Sequence, residues 1–115
     1  MTTIDSLRAL ALSFPEVVEA PHFEKISFRV RKKIFVTYDV KKEWATIKLS
    51  AINQDVFVSG SQYVHPVDNK WGKQGWTYIE MQGVHPDLFT DAITTAYCEI
   101  APKKLANLVR PNETD

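Results

Sequence analysis

The stretch SFRVRKKIFVTYDVKKEWATIKLS, residues 27–50, decides the fold. It divides into SFRVR (27–31), KIFVTYD (33–39) and WATIKLS (44–50), each rich in β-branched and aromatic residues. Short basic turns separate the pieces, one around Lys32 and one around Lys41, Lys42 and Glu43. Alternation broken by such turns predicts an antiparallel meander. Neighbouring side chains on a strand point to opposite faces, so each piece has two sets of residues. One phase carries Phe28, Val30, Ile34, Val36, Tyr38, Ala45, Ile47 and Leu49 and is expected to face a helical layer. The other carries Arg29, Arg31, Lys33, Phe35, Thr37, Asp39, Trp44, Thr46 and Lys48, a mixture of cations and aromatic rings.

Upstream, Thr2 or Thr3 can cap a helix whose apolar residues Ile4, Leu7, Leu10, Ala11 and Phe14 follow helical spacing, and Pro15 stops it. FPEVVEAPHFEK, with two prolines and three glutamates, reads as a connector. Downstream, SAINQDVFVSG fits a short helix capped by Ser50 and ended near Gly60. A loop or short strand around Tyr63–His65, a glycine-flanked turn and the strand WTYIEM follow. His85, Pro86 and Asp87 open a last helix, with proline in its first turn, and Pro102 breaks it before KKLANLV. The expected fold is α+β, a two-layer sandwich in the order α–β–β–β–α–β–β–α with helices on one face of an antiparallel sheet. The chain reads as one domain over 1–115, with a flexible tail from 110.

At 115 residues the chain is long enough to bury a core, and 44% apolar with 24% charged residues is ordinary for a globular protein. Formal net charge is zero, so no global field favours nucleic acid or an anionic membrane, and any electrostatic argument is local. The single Cys98 excludes an internal disulfide and suits a reducing compartment. MTTIDSLRALALSF lacks the basic n-region of a signal peptide, and no apolar run approaches the roughly 20 residues that span a bilayer. A cytoplasmic location is expected, with no membrane partner.

Locally the charge is uneven. Residues 25–48 hold eight cations, Lys25, Arg29, Arg31, Lys32, Lys33, Lys41, Lys42 and Lys48, against Asp39 and Glu43. Lysines at both hairpin tips could contact phosphates on a duplex, though lysines at turns and edges also keep sheets from pairing with one another. WGKQGWTYIE (71–80) adds two tryptophans. If its strand keeps phase, Trp76 and Tyr78 join Trp44 and Phe35 among the cations, a surface suited to stacking a base or another flat ligand. Alternatively the indoles pack together over a tight turn made by Gly72 and Gly75, with at least one of them in the core, or the face is a dimer or partner interface.

Other chemistries find little support. WGKQGW lacks both the spacing and the strand-then-helix setting of a phosphate loop. His22, His65 and His85 show no metal-ligand spacing, so no metal is expected. The serines lack a nucleophile-elbow context, and Cys98 on a helix reads as core. Glu16, Glu19 and Glu24 read as a solvated or capping set rather than an acid/base pair. No enzyme and no cofactor is expected.

FPEVVEAPHF (14–23), SFRVRKKIFVT (27–37), ATIKLS (45–50), WGKQGWTYIE and APKKL (101–105) stand in an order that resembles the MmcQ/YjbR family of small bacterial proteins. The resemblance runs from about residue 5 to 108. It implies a two-layer fold like that of type III secretion chaperones, and a DNA-binding label attached to two β-hairpin wings. It brings no catalytic motif or cofactor. His22 recurs in the family pattern, which implies a buried, hydrogen-bonded role or a pocket position beside Arg29. The leading expectation is nucleic-acid binding, with Arg29, Arg31, Lys32, Lys33, Lys41, Lys42 and Lys48 on phosphate and Trp44, Trp76 and Phe35 stacking. The alternative is a protein-interaction module, as a monomer or weak dimer.

Overall fold

The computed structural model describes residues 2–111. Its elements run α1 (Ile4–Ser13), β1 (Val17–His22), β2 (Lys25–Val30), β3 (Lys33–Asp39), β4 (Trp44–Lys48), α2 (Ala51–Gly60), β5 (Val64–Pro66), α3 (Lys70–Lys73), β6 (Trp76–Glu80), α4 (Pro86–Ile100) and α5 (Lys103–Val109). Six antiparallel strands form one sheet in the order β1-β2-β3-β4-β6-β5. The α+β sandwich expected from the alternation is the fold observed.

Caps sit where the sequence places them. Thr3 and Ser6 form a reciprocal capping box at α1, and the Ser50 hydroxyl accepts from the Asn53 N–H at the start of α2. Pro102 separates α4 from α5. Of the tail, Arg110 donates to Asp91 and Thr95 on α4, and residues 112–115 lie outside the described residues.

Two features depart from expectation. The connector after Pro15 contains β1, an edge strand paired with β2 from Val17↔Val30 to His22↔Lys25. Pro21 is compatible with it because an outermost strand has one side that needs no ladder partner. The second departure is a bulge. Phe28 pairs with Val36 but Arg29 pairs with Ile34, so Phe35 is the extra residue on β3. The alternation slips there: Phe35 turns into the core, fully buried, and Ile34 moves to the opposite face beside Arg29.

The core lies between the sheet and the helices, with α4 as the helix most closely laid on β3. Phe14 from the end of α1, Phe35 and Tyr97 from α4 form an aromatic cluster with ring centroids 4.7 to 6.3 Å apart. The Tyr97 hydroxyl donates to the Pro15 carbonyl at 2.8 Å, which satisfies the one polar atom of that ring. Burial raises its pKa above the usual tyrosine value. One face of the sheet is thereby consumed by packing, and the other is left open.

Candidate functional site: the open face of the sheet

The open face forms a groove of about 1090 Å³. Its cations are Lys25, Arg29, Lys32, Lys33, Lys42 and Lys48, and its carboxylates are Asp39 and Asp68. Asp39 is already engaged, because its Oδ1 accepts from the backbone N–H groups of Lys41 and Lys42 at 3.0 and 3.1 Å and so shapes the β3–β4 turn. Arg29 is held in place: its Nε donates to Ser27 Oγ at 3.0 Å and one terminal nitrogen to the Pro21 carbonyl at 3.3 Å. The buried Ser27 hydroxyl in turn donates to the Ala20 carbonyl. The guanidinium is thereby pinned across β1 and β2 before any ligand arrives.

The β2–β3 turn is the two-residue loop Arg31–Lys32, with both φ angles positive, +51° and +70°. That pattern matches a type I′ turn, a place for Asn-Gly, and left-handed backbone costs about 1–2 kcal/mol per residue with a full side chain. Lys32 reaches the groove, whereas Arg31 is turned aside into a two-pronged ion pair with Glu16, at 2.7 and 3.1 Å. Lys41 also stands outside the groove. The two basic tips lie at opposite ends of the seven-residue β3, roughly 20 Å apart along the strand.

The aromatic residues separate into two groups. Trp44 stacks on Tyr78 with centroids 3.9 Å apart and planes 16° apart, and Lys42 Nζ sits over the indole at 4.7 Å. His65 closes the row, 4.9 Å from the Tyr78 ring and 2.6 Å from Glu80. Trp44 therefore has its ring engaged within the protein. Trp71 and Trp76, at the other end of the face, are the rings free of an aromatic partner among the described residues, and Trp71 is 48% exposed.

The local build of WGKQGW explains this placement. α3 is a single turn capped by the Asn69 side chain. A Cβ on Gly72 would collide with the Val67 carbonyl, and one on Gly75, at φ +103°, with the Leu49 carbonyl. Only glycine lets the segment lie this close, and the Leu49 N–H then donates to the Gly75 carbonyl at 2.9 Å. The Gln54 amide fastens the whole turn by donating to the carbonyls of Gly72 and Trp76 and to Thr77 Oγ1. The glycines shape the backbone as expected, but neither indole is core: Trp76 and Trp44 are half-buried and Trp71 more exposed. The core positions of that strand are Thr77 and Ile79.

Of the nine residues expected in the site, seven line one groove: Arg29, Lys32, Lys33, Lys42, Lys48, Trp44 and Trp76. Arg31 and Lys41 do not, and the bulge removes Phe35. His22 is half-exposed and lines the groove with Arg29, rather than being buried. Lys25 counts toward the local charge in sequence, and its pairing with His22 is what brings it to the face. Val67, Asp68 and Asn69 come from a stretch without a recognisable pattern, so only the fold reveals them.

The remaining chemistry is spoken for. Glu16 and Glu19 pair with Arg31 and Arg8. Burial pushes the Cys98 thiol above its usual range, opposite to an activated nucleophile. Among the described residues no three His, Cys, Asp or Glu side chains gather to hold a metal, and no helix is long and apolar enough to cross a membrane.

The YjbR family model matches residues 12–99. Among solved structures, that of the Deinococcus radiodurans protein DR2400, a DUF419 domain, superposes with a TM-score of 0.76 at 18% identity, covering 95% of this chain and 88% of that one. No curated protein matches the chain.

Proposed function

The chain belongs to the YjbR family, and on that premise we propose that it binds nucleic acid across the open face of its sheet. The observation that carries this reading is the groove itself, with six cations against two carboxylates and, at one end, two indoles that have no aromatic partner among the described residues, Trp71 having only Lys70 Nζ over its ring at 5.6 Å. Cations along a track neutralise phosphates, and exposed rings accept the faces of unpaired bases. Arg29 is pre-oriented for a phosphate oxygen, with Lys25 and Lys42 near one end of the groove and Lys32, Lys33 and Lys48 near the other. Trp71 and Trp76 supply the stacking, and Trp44 shapes the wall.

This reading moves the contact from two hairpin tips to the surface between them. Lys48→Glu is expected to weaken binding of a labelled single-stranded oligonucleotide at least tenfold, whereas Lys41→Glu leaves it within about threefold, read by fluorescence anisotropy. Six neutralised phosphates give a slope of log K against log salt near −4. Absence of any anisotropy rise at low salt, or equal losses from both substitutions, sinks the proposal.

A protein-interaction role is the second reading, favoured by the same aromatic and arginine content, since Trp, Tyr and Arg anchor interfaces. Concentration-dependent self-association that protects Trp71 and Trp76 from a soluble quencher would support it.

A further inference from the structure

We infer that Phe23 is a stacking contact for an unpaired nucleobase at the end of the groove, an inference that rests on the nucleic-acid reading above. Phe23 is 94% exposed, the most exposed of the large apolar side chains among the described residues. It occupies the β1–β2 turn, where His22 pairs with Lys25 and leaves Phe23–Glu24 as a two-residue loop. Its φ is +58°, and Glu24 does not share the positive sign. Positive φ at the first central residue alone is the pattern of a type II′ turn, where glycine belongs. A phenylalanine there is unfavourable twice, through its backbone and through its contact with water.

Neither cost is recovered in the fold, because the ring buries almost no surface. Its one aromatic neighbour is the His22 ring, edge-on at 4.8 Å. His22 and Lys25, the residues that flank the turn, both line the groove. Strain kept at a ligand-facing edge, and absent from the core's needs, points to use in binding. The register gives the use its geometry. Ile26 pairs with Tyr38, and Lys48 pairs with Trp76, so Phe23 lies at the end of the sheet diagonally opposite Trp76. The separation is roughly 20 Å, three strand spacings across and about four residues along. A single strand stacked on Trp71 and Trp76 would cross Arg29 and Lys25 and end against Phe23. A paired base would have no free face to offer there.

The experiment measures a fluorescein-labelled single-stranded oligothymidylate of about a dozen nucleotides by anisotropy, against wild type, Phe23→Ala, Phe23→Gly and Phe23→Trp. Phe23→Ala and Phe23→Gly are expected to weaken binding about 5- to 150-fold, the worth of one stacked base. The salt slope should not change, because no charge is lost, and Phe23→Trp should keep the affinity. Phe23→Gly should also raise the thermal midpoint by a few degrees, so that a better-folded variant binds less well. Wild-type binding with Phe23→Ala inside twofold of it overturns this inference and leaves the groove reading standing. Failure of the wild type to bind the oligonucleotide at low salt overturns both.

Discussion

Phe35 shows how a single residue can change sides. Strict alternation assigns it to the open face with Thr37, yet it is fully buried against Phe14 and Tyr97. No signal in the residues themselves announces the extra position on β3, since bulges arise from the pairing of two strands and not from either alone. Phe35→Ala therefore tests placement. It is expected to cost about 3–5 kcal/mol of stability, measured by urea unfolding, with the oligonucleotide affinity of the folded fraction unchanged. A loss of affinity without loss of stability would put the ring back on the surface. Gly72 and Gly75 make the complementary case. Their role in a tight turn is readable from sequence, but their collision partners, Val67 and Leu49, are not, because those contacts exist only after the chain has folded back.

Among the elements, the strands of the meander and the helix caps were the most legible, because periodicity and capping chemistry are local. β1 was hidden by Pro15 just before it and Pro21 within it, and α3 is too short for periodicity to register. The β2–β3 turn carries the clearest element-scale prediction. Replacing Arg31–Lys32 with Asn–Gly relieves two left-handed residues and removes an ion pair that is solvent-exposed and contributes little. We expect a net gain of about 1–2 kcal/mol in unfolding free energy, together with weaker oligonucleotide binding through loss of Lys32. A variant less stable than wild type would mean that the Arg31–Glu16 pair holds the turn more firmly than its exposure suggests.

For the whole molecule, the sandwich and the location of its basic face were legible, whereas the groove's far wall at 67–71 was not. Two buried tyrosines, the half-buried Tyr78 and the half-buried cysteine also set how the molecule answers to pH. Desolvation raises Tyr38, Tyr78 and Tyr97 above the ordinary 10.0, and Cys98 above 9.0. In alkali the unfolded chain loses these protons first, so the folded state binds more of them and stability falls as pH rises through the ordinary values. On the acid side, the hydrogen bond from Arg31 lowers Glu16, a contribution present above 4.5 and lost as pH falls through the shifted value. Urea midpoints should thus decline above about pH 9. A midpoint rising there would contradict the burial of these groups.

The two outer strands of the sheet each contain a proline, Pro21 in β1 and Pro66 in the three-residue β5. A proline interrupts the row of donors that a stray strand from another molecule would need as a template. One broad face of the sheet can therefore stay uncovered while both margins are guarded against edge-to-edge pairing. That protection is local to the margins and owes nothing to net charge, which is zero.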